Sequence, residues 1–397
     1  MASSARVSPI SCRMNRIEMS STSATLNMVA RLKDAGKDVI NLGPGEPHFA
    51  TPEHIKAAAI EAIHGNKTKY TPVAGTAELR DAIAQRHHLD FGSAYSQEEV
   101  IACPGGKYAL FCAIQVLVDE GDDVIIPVPY WVSFKDMVSF AGGRCVFVDT
   151  TKNNCALTSA MIESALTPRT KVIVLNYPNN PSGALIDSEE LQRIVDMAVR
   201  RNIWIISDEC YVYLTFSGTP ISIAKFSDNR TNVVIIGSLS KTYAMTGWRV
   251  GFALAPAQIA SAIQTLQSQE ISCASSVTQA AAVAALTGPQ DCVHRMRREY
   301  LQLRDQAIAG VSSIPGIQTT VPGGAFYLFP DVSDQLRARN LPTASAFCAA
   351  LLENFGVALV PGEGFGSSHY VRISFSVSEQ ELARGLQRVR DYCIAPV

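Results

Sequence analysis

The chemically richest stretch of the 397-residue chain is SLSKTYAMTGWRVG, residues 238–251. The apolar run VVIIG (233–237) reads as a strand that ends there. A turn of small residues then presents Lys241, with Arg249 eight residues later. A lysine just past a buried strand can sit in a pocket, where partial desolvation lowers its pKa and makes the amine a usable nucleophile. Ser238, Ser240 and Arg249 together could hold a phosphate. The alternative is an ordinary surface loop with two basic residues. In ISDECYVY (206–213), Asp208 closes another apolar strand. A buried carboxylate there needs a cationic partner. Tyr211, three residues on, could face the same pocket. For Asp208 alone the alternative is a helix N-cap.

Lys241 and Asp208 stand at the ends of two neighbouring predicted strands. A Schiff-base lysine and an acid facing a pyridinium nitrogen are the pair that a pyridoxal phosphate enzyme needs. Other stretches add to it. NYPNNPSG (176–183) is a tight turn after a strand, where an asparagine amide could donate to a ring oxygen. In CPGGKYAL (103–110) two glycines open a helix, and its free backbone N–H groups could bind phosphate, although a lone GG is more often only a turn. Trp131, in PYWVSF, could stack on a cofactor ring; core packing is the commoner fate of a tryptophan. Arg372, in VRISFS, takes an inward strand position and needs a planar anion, either a substrate carboxylate or an internal salt-bridge partner. Tyr70, in KYTPVAGTAELR, reads only as a loop residue. No GxGxxG and no GxxxxGK[ST] occurs, so dinucleotide and P-loop readings lack support.

The elements that must position these residues alternate. VIIPV (124–128), VIVLNY (172–177), IWIIS (203–207), VVIIG and VGFALA (250–255) read as buried strands, and residues 188–201 as a helix between two of them. That pattern predicts a mostly parallel sheet covered on both faces, with function just past the carboxyl ends of its strands. Beyond Pro256 the pattern changes. Residues 257–314 read as long helices broken at Gly288-Pro289. GGAFYLFPDV (323–332), VALVPG (357–362) and VRISFS (371–376) read as strands, and Ser378 to Tyr392 as a last helix. This predicts a second, smaller α+β domain, with the first forty or so residues packed on it.

Composition narrows the class. Hydrophobic residues are 47 % and charged residues 18 %, an ordinary globular mixture that excludes a disordered chain, collagen and a coiled coil. A formal net charge of −2 gives no global reason to expect a nucleic-acid partner. No apolar run approaches the roughly 18 residues of a membrane helix. The ten cysteines contain no CxxC pair and no zinc spacing, so we expect no metal site and read them as reduced, cytoplasmic-type thiols. The N-terminal MASSARVSPISCRMNR has a Ser/Arg-rich, transit-like flavour without an apolar core, and reads as a disordered head of about a dozen residues.

In order and spacing, these segments resemble the fold-type I pyridoxal-phosphate aminotransferases, specifically the aspartate aminotransferase branch that includes prephenate aminotransferases. The likeness runs from about Arg13 to the C-terminus. It rests on SLSKTYAMTGWRVG, supported by GPGEPHF, YTPVAG, GGKYAL, PYWVSF, NNPSG, DECY, GGAFY and VRISFS. The resemblance implies an α/β fold with a seven-stranded, mostly parallel sheet. It implies an arm over 1–45 packing with the small domain, a large cofactor-binding domain over 46–289 and a small domain over 290–397. Lys241 would form the Schiff base with pyridoxal 5'-phosphate and shuttle the proton between Cα and C4′. Asp208 would pair with the pyridinium nitrogen, Tyr211 and Asn180 with the phenolic oxygen, and Trp131 would stack on the ring. Gly106, Lys107, Ser238, Ser240 and Arg249 would cradle the phosphate. Tyr70 would reach the phosphate of a neighbouring subunit in a homodimer. Arg372 would grip the substrate α-carboxylate, with Gly43 closing over it, and Lys107 would meet a distal carboxylate.

The implied reaction is ping-pong transamination between an acidic L-amino acid and a 2-oxo acid, with prephenate or aromatic transamination as the alternative. A C–S lyase using the same lysine is the rival that keeps the cofactor. A ligand sensor with a helix-turn-helix head of about sixty residues is not expected, because the likeness begins near residue 13. Two departures bear on substrate. His48 stands where many relatives have Asp, and EMSSTSAT (18–25) lacks a lysine that some acidic-substrate relatives carry.

Overall fold

The computed structural model describes residues 10–19, 21–227 and 232–396. Most of the expected N-terminal head, residues 1–9, lies outside the described residues, and so does part of EMSSTSAT. The described strands are β1 (Ile40–Asn41), β2 (Val100–Cys103), β3 (Asp123–Val128), β4 (Arg144–Asp149), β5 (Thr170–Asn176), β6 (Trp204–Asp208), β7 (Val233–Ser238), β8 (Gly251–Leu254), β9 (Tyr327–Leu328), β10 (Val357–Ala358), β11 (Val360–Pro361) and β12 (Val371–Ser374).

Seven of them form one sheet in the order β2-β8-β7-β6-β5-β3-β4. Five strands, β3 to β7, run parallel. β8 is antiparallel to both of its neighbours, which the sequence pattern did not reveal. Their near-continuous apolar runs follow from burial on both faces. Ile125, Ile173, Ile205 and Ile235 face one core together with helices Glu53–His64, Ala77–Phe91 and Ser188–Arg200. Val124, Val172, Ile206 and Ile236 face the other, with helices Gly106–Leu117 and Ser133–Ala141. The period of two along each strand sorts them.

β2 and β4 were missing from the sequence reading. β2 has only four residues, and β4 is an edge strand with half-exposed, polar-interrupted residues. The expected strands after Pro256 shrink as well. Of 323–332 only Tyr327–Leu328 forms a strand, with Gly324 and Asp331 in isolated bridges, while 357–362 splits into β10, parallel to β1, and β11, antiparallel to β12. The region 257–314 holds three helices, Ala257–Glu270, Ser276–Thr287 and Asp291–Ser312, so it breaks once more than expected, before Ser276. The last helix is Glu379–Ile394, capped by Ser378, which accepts from the Glu381 N–H. A third core gathers Ile40, Leu42, Tyr300, Phe326, Phe347, Val371 and Leu386.

At the amino end of β3, the fully buried Asp123 accepts two 2.6 Å bonds from Arg144 of β4 and one of 2.5 Å from Thr167 just before β5. The Arg144 guanidinium holds its carboxyl well down, at about 2. A depressed carboxylate stabilises the fold above its unfolded value near 4, and that contribution fades as pH falls toward 2. Asp123→Ala should therefore cost about 2 kcal/mol at neutral pH, because the fold loses the charge-assisted bonds from Arg144 and Thr167. Thermal melting at pH 7 and pH 3 checks this: the difference between wild type and variant should narrow at pH 3.

Candidate active site

Three parallel strands end side by side on functional groups. Asn176 of β5 pairs in register with Asp208 of β6, and β7 ends on Ser238. Because β8 is antiparallel, its first residue Gly251 opens at this same edge, opposite both Ser238 and Cys103. Helix Gly106–Leu117 also begins there. The packing is tight: a Cβ on Gly251 would lie 2.3 Å from the Gly106 nitrogen. A Cβ on Gly105, whose φ is +98°, would lie 2.5 Å from an Arg249 guanidinium nitrogen.

These elements surround a cavity of about 270 Å³. The expected residues Gly43, Gly106, Lys107, Trp131, Asn180, Asp208, Tyr211, Ser238, Ser240, Lys241, Arg249 and Arg372 all line it. Tyr70 does not; it is 89 % exposed on its loop. Leu26, Pro44, Gly45, Asn176, Cys210 and Tyr327 line it too and were not singled out from the sequence. Five of the six sit inside quoted motifs (NYPNNPSG, GPGEPHF, DECY, GGAFY), so the signal was present without a residue-level reason. Leu26 had none.

Lys241 sits on the one-turn helix Leu239–Thr242 immediately after β7, capped by Ser238, which accepts from the Ser240 N–H. Its Nζ donates to the Gly45 carbonyl at 2.5 Å. Burial lowers its pKa to about 8. The alternative of an exposed surface loop does not hold. Asp208 is 6 % exposed, and burial raises its carboxyl; the N–H of Cys210, 3.1 Å away, works against that. It caps no helix, since the next helical turn is Val212–Leu214 behind Tyr211. Among the described residues, no cation forms an ion pair with it.

Arg372, on β12, is 2 % exposed. One Nη donates to Asn180 Oδ1 at 2.9 Å and the other to the Gly43 carbonyl at 2.8 Å. Its Nε has no partner. The rings of Tyr327 and Phe365 lie 4.4 and 5.0 Å from its Cζ. Among the described residues no carboxylate reaches it, so the salt-bridge alternative is not realised. Asn180 is therefore engaged by Arg372, and its backbone N–H donates to Asn176 Oδ1 at 2.9 Å. Tyr211 meets Tyr327, hydroxyl to hydroxyl, at 2.6 Å. Trp131 both packs edge-on against Phe134 and lines the cavity. The ammonium of Lys107 lies 5.1 Å from its ring centroid. Arg249 holds a left-handed backbone, φ 54°, with one Nη on the Thr246 carbonyl at 2.8 Å. His48 stays outside the cavity, its Nε2 3.1 Å from Glu299.

The arrangement offers an amine that loses its proton near neutral pH, a buried acid lacking a cation and a buried guanidinium lacking an anion. Comparison with known proteins gives these features a setting. The chain belongs to the family of class I and II aminotransferases, whose family model matches residues 37–389. It is an enzyme of that kind, with the fold-type I architecture. It is 41 % identical over 383 residues to an aspartate aminotransferase of Geobacillus stearothermophilus, covering 96 % of this chain and 98 % of that one. An aspartate/prephenate aminotransferase of Cereibacter sphaeroides is 39 % identical over 395 residues, covering 97 % and 98 %. The crystal structure of the aspartate aminotransferase from Rhizobium meliloti superposes with a TM-score of 0.93 at 38 % identity, covering 98 % and 99 %.

An amine lowered to about 8 reacts only once it has lost its proton. In protein freed of small molecules, acylation of Lys241 by a limiting amine reagent should rise with pH to half its maximum near pH 8. Peptide mass spectrometry over pH 6–10 reads this directly.

Proposed function

We propose that the enzyme uses pyridoxal 5'-phosphate to move an amino group between an acidic L-amino acid, aspartate or glutamate, and a 2-oxo acid such as 2-oxoglutarate or oxaloacetate. The observation that carries this reading is the charge of the cavity wall. Among the described residues, Lys107, Lys241, Arg249 and Arg372 face one cavity whose only acid is Asp208. A phosphate and two substrate carboxylates would neutralise that excess.

The residues present fit the cofactor. Asp208, pushed up by burial and lacking a cation, suits a protonated ring nitrogen. The turn at Gly105 has no room for a Cβ beside Arg249, and the helix behind it opens with free N–H groups at Gly106 and Lys107. With the hydroxyls of Ser238 and Ser240, these would hold the phosphate. Trp131 would cover a ring face, and Tyr211 and Asn180 would reach its phenolic oxygen. When bound, pyridoxal phosphate supplies an electron-withdrawing ring that makes the substrate Cα–H acidic.

The remaining work belongs to the chain. Arg372, with the rings of Tyr327 and Phe365 packed near it, orients the α-carboxylate as a bidentate donor, with Gly43 over it. Lys107 meets the distal carboxylate. Lys241 Nζ, neutral for a useful fraction of the time near pH 7–8, takes the Cα proton of the donor and returns a proton to the acceptor in the second half-reaction. Prephenate also carries two carboxylates, so the same charges admit it. The name of the Cereibacter relative supports it as a second acceptor.

We further propose a cytoplasmic homodimer in which Tyr70, projecting from its chain, completes the partner's phosphate site. The division into an arm over 1–45, a large domain over 46–289 and a small domain over 290–397 belongs to the same reading. All ten cysteines are free, and among the described residues no helix is long and apolar enough to cross a membrane.

An absorption spectrum of the purified protein tests the assignment. L-Aspartate or L-glutamate should bleach the visible band, 2-oxoglutarate should restore it, and L-alanine should leave it. A protein that stays colourless after cofactor is added would overturn the Lys241 assignment. Arg372→Lys, which keeps the charge but loses the planar fork, should raise KM for amino and oxo acids by about 100-fold.

A further inference from the structure

Tyr327 is fully buried, and its two ends touch different halves of the cavity. Its ring face lies 4.4 Å from the Arg372 Cζ, on a guanidinium that no acid among the described residues neutralises. Its hydroxyl lies 2.6 Å from that of Tyr211. The hydroxyl also rests on Gly45, where a Cβ would come within 2.8 Å of it. A ring on a short two-residue strand, closed in at its tip by Tyr211 and Gly45, has little freedom to turn away.

We propose that Tyr327 is a positioning residue that ties the anion site to the cofactor site. This inference rests on the reading of the preceding section. The ring does for Arg372 what a carboxylate would otherwise do: its negative face offsets the buried charge while leaving the outer guanidinium edge to an incoming carboxylate. A carboxylate there would compete with the substrate; an aromatic face does not. The hydroxyl works on Tyr211. If Tyr211 is to donate to the phenolic oxygen of the cofactor, its own oxygen is left to accept, and Tyr327 is the donor in reach. A phenol that accepts a hydrogen bond donates a stronger one. The charged and titratable groups around the pair are Arg372, Lys241, Asp208 and Cys210.

The two contributions separate by substitution. Tyr327→Phe keeps the ring and removes the donor. With the cofactor bound, Tyr211 would then donate less strongly, leaving more negative charge on the phenolic oxygen beside Lys241 and making a proton there harder to remove. In the holoenzyme, the pH midpoint of the visible band should rise by about half to one unit. The same change in a Tyr211→Phe background should do nothing, because the relay is already cut. Binding of succinate, a dicarboxylate without an amino group, should stay within about twofold in Tyr327→Phe and weaken about tenfold in Tyr327→Leu, which removes the ring. A midpoint shift that persists in the Tyr211→Phe background, a Tyr327→Phe midpoint equal to wild type, or unchanged succinate binding in Tyr327→Leu would each overturn the proposal alone. A wild-type protein with no visible band would overturn the cofactor reading and this inference with it.

Discussion

Arg372 carries a full positive charge inside the protein with no acid among the described residues to meet it. Its two hydrogen bonds go to a side-chain amide and a backbone carbonyl, both neutral. An unpaired ion at that depth costs several kcal/mol, so the surroundings have to hold it in place rather than neutralise it. They do so through a continuous chain of contacts. Asn180 accepts from Arg372, its backbone donates to Asn176, and the Asn176 amide donates to the Asp208 carbonyl at 3.1 Å. Arg372 on β12 is thereby coupled to the ends of β5 and β6. A carboxylate docking on it would offset that standing cost.

The parallel sheet explains why these groups meet. Its strands point one way, so their carboxyl ends form a single edge, and loops leaving that edge carry side chains over a common point. The antiparallel β8 departs from the pattern, and the departure is useful. It brings a glycine, not a side chain, to the crowded edge where helix Gly106–Leu117 begins. Backbone can then approach where a Cβ could not.

Much of this was legible in the sequence because burial on two faces writes continuous apolar runs, and β3, β5, β6 and β7 are such runs. Lys241, Asp208 and Arg372 stood out because each is a charge at the end of, or within, an apolar strand, where charge is expensive. β2 and β4 escaped because one is very short and the other is a half-exposed edge. The paired strands β9 to β12 were read too long: chain that is extended and apolar need not find a ladder partner, and only two to four residues of each do. Tyr327 lay within the GGAFY segment, but no residue-level signal marked it. A buried tyrosine in an apolar stretch is indistinguishable from core until its hydroxyl partner, 116 residues away in sequence, is in place.

The long reach of these contacts has a consequence for how the enzyme comes into being. Arg372 bonds to residues 192 and 329 positions earlier, and it lies 131 residues beyond Lys241. At ordinary rates of synthesis the Lys241 amine leaves the ribosome on the order of ten seconds before the Arg372 guanidinium. During that interval a growing chain can hold a nearly finished sheet and Lys241 while the cavity still lacks Arg372. The cavity wall, on this geometry, is completed only when the last strand arrives.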